Sequence, residues 1–360
     1  MKFFFKLNTK SDLIIFGNHN IHLNFKNINI FYFNKNNIYL DIFFKALLES
    51  LKSMNLRMLK KYYFIKLINQ LDCKIAIGDD MSGYIFKFKN LFPTKIAIGY
   101  QFGYIYKSYL FFFKNLFRNN CLDYFFCLNE NQKNLIKQKI PSFKTKFLIG
   151  GYLHSNQIKI NKKKKKYDVM YVSEFRNINE KFTGKYADKL RKREIVRRKI
   201  QIKMVKKLSK FSKINKLKIV IALVSNRPDK KYFSNYKKNL EINFFNNINP
   251  KFILVNKLSY NLAAECKMVI SSLSNLGHEL FSRGYKVIFY DNENKNLDNN
   301  SFSKGNFNFM HNLNDKETLK KLTYFFKLNN RDWEKKIEKT SKIYFNNDNL
   351  RLIRLIKNNL

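Results

Sequence analysis

The segment VISSLSNLGHELFSRGYKVIFY, residues 269–290, carries the residues best suited to hold a phosphorylated ligand. Its pattern predicts a strand, a polar turn, a helix, a glycine and a second strand. Ser271, Ser272 and Ser274 fall where the strand ends and the helix begins. Free backbone N–H groups and small hydroxyls at a helix start suit a phosphate. Simple N-capping by Ser272 or Ser274 is the competing role, and the two are compatible. Gly277 allows backbone or ligand to approach closely. Glu279 lies in the first turns. It can accept hydrogen bonds from a sugar or ribose hydroxyl, or merely favour the positive helix terminus. His278 beside it fits a structural histidine better than a chemical one.

A second group is GDDMSG, residues 78–83, directly after an apolar run. Asp79 and Asp80 are adjacent acids in a chain with only 26 Asp and Glu. Either can orient a hydroxyl or act as a general base. Together with a diphosphate they could bind a metal, but no second acidic cluster lies nearby, so no metal is expected. Helix capping by Asp80 or Ser82 is the alternative. In GYQFG, residues 99–103, flanking glycines permit a tight turn that presents Gln101 to sugar hydroxyls; an ordinary surface loop reads the same way. LIGGYLH, residues 148–154, offers two glycines and His154. Arg176 in SEFR and Arg227 in SNR each follow a predicted strand, and a planar guanidinium suits two phosphate oxygens at once. Neither a G-x-G-x-x-G fingerprint nor a G-x-x-x-x-G-K-[ST] loop occurs.

The elements that must position these residues are legible as short apolar runs. In the first half they are residues 12–16, 28–33, 74–78, 95–99, 124–128 and 146–150. They are continuous rather than alternating, which predicts parallel strands buried on both faces. Residues 40–71 lack Gly and Pro and predict one or two helices, and 131–139 another. Five lysines at 162–166 then interrupt the pattern and read as an interdomain linker, with a nucleic-acid arm as the other reading. Strands are predicted again at 168–172, 218–224, 252–255, 268–271 and 286–290. Helices are predicted at 188–211, 232–245, 261–266, 276–283, 315–326 and 332–344. Alternating strands and helices on each side of the break predict two open parallel-sheet domains, 1–160 and 168–330. Residues 331–360 could brace the first domain. Ligands of such sheets bind beyond the carboxyl ends of the strands, in a cleft that the two domains would face.

Composition sets the outer bounds. The 360 residues, 45% hydrophobic, can build two cores. A net charge of +44 attracts phosphates, nucleotides and anionic headgroups. The enrichment in Lys, Asn, Phe, Tyr and Ile runs along the whole chain, so it reads as a coding bias rather than a selected nucleic-acid site. Cys73, Cys121, Cys127 and Cys266 form no Cys-x-x-Cys pair and no zinc spacing, and read as free thiols in a reducing compartment. The aromatic start MKFFFK lacks a cleavage site and does not read as a secretory signal. No run reaches the roughly 18 to 20 apolar residues of a membrane span. Residues 106–117, YKSYLFFFKNLF, predict an aromatic helix face that packs inward or lies on a membrane surface.

Three blocks resemble a known family. They are GDDMSGYIFKFKNLFPTKIAIGYQFG at 78–103, DYFFCLNENQKNLI at 123–136 with FLIGGYLHSN at 147–156, and SSLSNLGHELFSRGYKVIFY at 271–290. Residues 304–309 and Trp333 also match in place. The chain resembles bacterial surface-carbohydrate biosynthesis proteins of the GT-B type, with two Rossmann-like domains. It departs from them at Phe102, where Asn or His is common, and at Asp79-Asp80, where Asp-Asn is common. The resemblance implies a glycosyltransferase, expected in the cytoplasm; the net charge and residues 106–117 could together also hold it peripherally on the inner face of the plasma membrane. Its donor would be a nucleotide sugar and its acceptor a surface glycan or lipid-linked carrier. Ser271, Ser272, Ser274, Gly277 and Glu279, with Arg176 and Arg227, would bind the donor. Asp79, Asp80 and Gln101 would serve the acceptor, one Asp as base, and no further cofactor is expected. The alternatives are a polyol-phosphate or related phosphate-unit transferase, and a non-enzymatic nucleic-acid-binding protein. Specific nucleic-acid recognition is not expected, since no recognition module is present.

Overall fold

A computed structural model describes residues 2–17, 23, 25, 27–80, 83–103, 122–139, 144–153, 156, 158, 164–175, 187–224, 235–255, 257–272, 274–291, 307–311, 313–344 and 349–360. The aromatic run 106–117 lies outside them, as do Lys162, Lys163 and Cys121. The chain divides into two compact units. Unit 1 comprises Met1–Ile105, Tyr109–Gln157 and Tyr344–Leu360; unit 2 comprises Tyr106–Ser108 and Ile158–Ile343.

Unit 1 opens with strands β1 (Lys2–Phe4), β2 (Leu13–Phe16), β3 (Ile30–Tyr32) and β4 (Asn37–Tyr39). Helices α1 (Leu40–Lys52) and α2 (Leu59–Leu71) follow. Then come β5 (Ile75–Asp79), α3 (Gly83–Leu91), β6 (Ile96–Tyr100), β7 (Tyr124–Cys127), α4 (Glu130–Lys139) and β8 (Lys146–Ile149). Six of the strands form one sheet in the order β3-β2-β5-β6-β7-β8, every pair parallel. Successive side chains point to opposite faces of a strand. One face packs Ile14, Phe16, Ala76, Ala97 and Phe125 against Ile42 of α1, Phe64 and Ile68 of α2, Ile85 and Phe88 of α3, and Ile136 of α4. The other face packs Leu13, Ile15, Ile75, Ile77 and Ile98 against Leu352 and Ile356. Those two residues belong to the last helix, so the end of the chain closes the core of unit 1. The repeated KIAIG segments lie side by side, Ala76 against Ala97 and Gly78 against Gly99. A Cβ on Gly99 would sit 2.5 Å from Leu122 and 2.7 Å from Phe125, so these neighbours need a glycine. A ribbon of β1 and β4, also parallel, lies apart from the sheet.

Unit 2 contains β9 (Tyr167–Val172), α5 (Ala187–Asn215), β10 (Ile219–Ala222), α6 (Asn235–Ile248), β11 (Ile253–Leu254), α7 (Ser259–Ala264) and β12 (Cys266–Ser271). It continues with α8 (Asn275–Ser282), β13 (Val287–Asp291), β14 (Phe309–His311), α9 (Asp315–Lys327) and α10 (Asn330–Tyr344). Its sheet runs β11-β10-β9-β12-β13-β14, again parallel throughout. The basic helix α5 buries Ile200, Met204, Leu208 and Phe211 at helical spacing and leaves most of its lysines outside. Lys207 is an exception: its ammonium donates to the Leu313 carbonyl at 2.9 Å and to Thr318 at 3.0 Å, at the start of α9. That start is a capping box of Asn314 and Glu317. Trp333 on α10 donates from its indole to the Gly284 carbonyl at 3.2 Å. Chain end α11 (Leu350–Lys357) carries Leu352 and Ile356 into unit 1. Two six-stranded parallel sheets among the described residues make the architecture GT-B-like.

Burial disfavours the thiolate form of the described cysteines. Burial pushes Cys73 up to about 11 and Cys266 to about 12, and drives Cys127 higher still. Among the described residues, no helix is long and apolar enough to cross a membrane. His278 of α8 is core: it is buried, with its ring 4.8 Å from that of Phe289. Burial lowers its pKa from 6.5 to about 3, so it is neutral at pH 7.

Two predictions follow from this packing. Ile356→Ala should destabilise unit 1 by about 2–5 kcal/mol, read as a lower urea midpoint, because a buried branched chain is lost. An unchanged midpoint would mean that the last helix does not hold the core. The second concerns acid. The folded state holds His278 neutral, while the unfolded chain protonates it near pH 6.5. Its contribution is therefore present above pH 6.5 and lost as pH falls towards 3. Between pH 7 and pH 5 the loss should be about 2 kcal/mol, and a His278→Leu chain should show a correspondingly smaller pH dependence.

Candidate functional site

Strand order reverses once in each sheet. In unit 1 the reversal lies between β2 and β5, and in unit 2 between β9 and β12. Connections leave such a point on opposite sides, and a crevice opens beyond the carboxyl ends of the two strands. The candidate residues can be placed against these two points.

In unit 2, the register Ile270 to Tyr171 brings Ser271-Ser272 and Val172-Ser173 to the same carboxyl edge. Ser271 ends β12 and is fully buried, and its hydroxyl has no hydrogen-bond partner among the described residues. Ser272 is half-buried. Ser274 is the N-cap of α8, with extended backbone, but its side chain makes no capping bond. The capping role open to these serines is therefore not filled by Ser274. Gly277 turns its bare Cα towards the strand. A Cβ there would lie 2.4 Å from Ser271 Oγ and 2.5 Å from its Cβ, so only glycine lets α8 start this close to β12. Glu279 is buried on the next turn, where the Tyr260 hydroxyl of α7 donates to its carboxylate. Arg283 lies over the Tyr260 ring at 5.6 Å. Arg176 and Arg227 lie outside the described residues.

Beside this edge sits a network that the sequence pattern did not single out. Ser173 donates to Glu241 at 2.5 Å, and the same carboxylate oxygen accepts from the Val224 N–H at 2.9 Å. Glu241 thus ties the ends of β9 and β10 together from α6. Arg198 of α5 lies over Phe175 at 4.0 Å and Phe244 at 4.5 Å. The available signal was Glu241 itself, an acid inside the apolar stretch of a predicted helix in an acid-poor chain. Tyr260 gave no signal, because its role depends on how α7 meets α8.

In unit 1, Asp79 ends β5 at the strand reversal and is 3% exposed. Across the reversal lies Gly17, at φ +143°, directly after β2. A Cβ on Gly17 would sit 2.6 Å from Asp79 Oδ2 and 3.8 Å from the Tyr100 hydroxyl. Tyr100 is paired with Asp79 across the strands. Burial, then Asp79 and Asp80, hold its phenol well above the ordinary value, so it stays protonated. Asp80 accepts from the Phe102 N–H at 3.2 Å and donates its own N–H to Tyr100 at 2.9 Å. Gln101 is fully buried and engaged on both ends of its amide. It donates to Gly103 at 2.8 Å and to Gln132 at 2.5 Å, and accepts from Leu128 N–H at 3.1 Å. It braces the loops after β6 and β7. Ser82 and His154 lie outside the described residues. Among the described residues no group of three or more His, Cys, Asp or Glu could hold a metal.

Comparison with known structures shows the same fold. The chain is similar to UDP-GlcNAc 2-epimerase of Methanocaldococcus jannaschii, solved in complex with UDP-GlcNAc and UDP. The TM-score is 0.52 at 11% identity, over 92% of each chain. It is similar to a CDPG-soaked variant of the wall teichoic acid polymerase TagF, with TM-score 0.53 at 11% identity over 98% of this chain and 89% of that one. It spans 56% of a Streptococcus pneumoniae accessory secretory protein structure, with 84% of this chain aligned at 11% identity and TM-score 0.48. Comparison with curated proteins finds no match. These identities carry the fold and no particular reaction. Residues 106–360, well over half of the chain, match the model of a family described as "putative O-antigen biosynthesis protein", and the protein belongs to that family.

Proposed function

We propose that this protein transfers a glycosyl group from a nucleotide sugar to a hydroxyl of a surface glycan or its lipid-linked carrier. The observation that carries the proposal is the edge of unit 2 where α8 begins. There the N-cap hydroxyl does not cap, a buried serine hydroxyl has no partner among the described residues, and a glycine keeps the helix close to the strand. Helix N-termini attract phosphate through their N–H groups and dipole. The donor diphosphate would meet Ser271, Ser272, Ser274 and the first turn of α8. Glu279, held by Tyr260, would accept from a ribose or sugar hydroxyl. Arg176 and Arg227 would add positive charge to the leaving diphosphate. The solved epimerase of this fold binds UDP-GlcNAc and UDP, which supports a nucleotide-sugar reading of the shared architecture.

Unit 1 would serve the acceptor. Asp79 at the strand reversal would take the proton from the attacking hydroxyl. Asp80 and Gln101 would position it, since both are tied to the loop after β6. The same edge would serve transfer of a polyol-phosphate unit, the second reading, favoured by the match to the teichoic acid polymerase over almost the whole chain. On either reading the protein would work at the cytoplasmic face, peripheral to the membrane that carries a lipid-linked acceptor.

Calorimetry with nucleoside diphosphates and nucleotide sugars tests the donor edge. Ser271→Ala should not lower stability, because its hydroxyl makes no bond among the described residues, yet it should weaken donor binding by about tenfold. Gly277→Ala and Glu279→Ala should weaken it as well. Folded protein that binds no nucleotide across the panel would end the donor assignment. The second test is kinetic. Asp79→Asn should lower kcat by roughly 100-fold or more with donor affinity retained, as expected for loss of a general base. A product whose new linkage retains phosphate would select phosphate-unit transfer over glycosyl transfer.

A further inference from the structure

The sheet of unit 1 is covered on both faces, but the elements at the start of the chain leave apolar side chains in water. Helix α1 buries Ile42, Ala46 and Ser50. On its opposite side Phe44, Leu48 and Leu51 are each more than half exposed. Spacings of four and three residues set them on one stripe. The turn after the helix extends it, with Met54 95% exposed and Leu56 61% exposed. At the other end the Asp41 N–H donates to the Phe5 carbonyl at 3.3 Å, so β1 runs up to the start of α1. Phe3 and Phe5 are also more than half exposed. The helix is thus apolar on two sides, and among the described residues nothing covers one of them.

The surroundings of the stripe are basic. Lys2, Lys6, Lys45, Lys52, Arg57 and Lys60 are all exposed. The acids of the same stretch are turned to other partners. Glu49 pairs with Lys66 at 3.0 Å, and Asp41 accepts from Gln70 at 3.3 Å. A contiguous exposed apolar patch marks an interaction surface. A second copy of this chain would set the same cations against each other, which opposes association. An anionic bilayer complements both features. Its acyl boundary takes Phe, Leu and Met side chains, and its phosphate headgroups take Lys and Arg.

We propose that the α1 stripe, with β1 and the turn through Leu56, is a docking surface for an anionic phospholipid bilayer. The proposal rests on the peripheral attachment in the proposed function and is independent of the donor chemistry. Cosedimentation of the full chain tests it, with vesicles of phosphatidylglycerol and phosphatidylcholine and with vesicles of phosphatidylcholine alone. At an ionic strength of about 0.15 M the wild type should bind the anionic vesicles and bind the neutral ones far less. The F44S/L48S/L51S variant should partition roughly tenfold more weakly, because three side chains no longer leave water. The substituted positions are exposed, so its melting curve should match the wild type; if it does not, Leu48→Ser alone carries the test in the same direction. Titration of the variant with nucleoside diphosphates reads the donor edge separately and should be unchanged. Equal vesicle binding by wild type and folded variant would overturn the proposal, since diffuse charge would then suffice. Absence of vesicle binding would overturn it too. A dimer that the variant loses, without vesicle binding, would reassign the face to contact between copies.

Discussion

A parallel sheet covered on both faces has little room for polar atoms along its strands. In β2, β5 and β10 every residue is buried. Charged or hydroxylated side chains in such a strand belong at its ends. The connections make the two edges unequal. Each crossover in βαβ order starts a helix after the carboxyl end of a strand, so positive helix termini collect at that edge. Polar side chains and unsatisfied N–H groups therefore meet on one edge of each sheet. Where the strand order reverses, the connections part and leave that edge open. Asp79 and Ser271 both stand at such reversals, and each is the last residue of its strand.

Glycine decides how tightly those edges are built. Gly277 and Gly17 each face a polar side chain, Ser271 Oγ and Asp79 Oδ2, at distances that no Cβ would tolerate. In both cases the missing side chain brings main chain against a buried polar group. Gly78 and Gly99 are tight for a different reason. Gly78 faces Ile85 of α3, and Gly99 faces Phe125 of β7 and Leu122 just before it, so they serve hydrocarbon packing. These four glycines thus separate by what they face, oxygen for Gly17 and Gly277 and hydrocarbon for Gly78 and Gly99.

The strands were legible because double burial writes them as unbroken apolar runs, as in LIIF and the two copies of IAIG. The two sheets and their parallel sense followed from the alternation. The β1–β4 ribbon is not legible in the sequence, because KFF is exposed throughout and carries no burial pattern. Ser271 and Asp79 stand out because a polar residue right at the end of an apolar run has few structural uses, and Gly277 because a glycine early in a helix permits close approach. What their neighbours do could not be read. The glycine-flanked turn predicts Gln101 free to meet a sugar hydroxyl, and only the contacts with Leu128 and Gln132 show its amide engaged. Glu279 looked open, and Tyr260, 19 residues earlier, holds it. Local pattern reports which side of a strand or helix is buried. It does not report which distant side chain arrives there.

Charge and geometry act at different ranges. A net charge of +44 draws anions from a distance, but at physiological salt the field of an exposed lysine fades within about 8 Å. Most of the cations are therefore interchangeable, and a few are already committed, such as Lys207 under α9 and Arg198 over two rings. Selection among anions needs groups that cannot be replaced by a neighbour. On the proposed donor site, backbone N–H groups at a helix start, a buried hydroxyl and a carboxylate fixed by a tyrosine would meet that need, because each is held by the fold rather than by a flexible side chain. A bilayer asks for the opposite. It has no fixed geometry to match, so an apolar stripe in a field of exchangeable lysines is sufficient. On the two proposals the same excess of positive charge would support both encounters, while the residues that would distinguish them lie on different elements: α8 and β12 for the small anion, α1 and β1 for the surface.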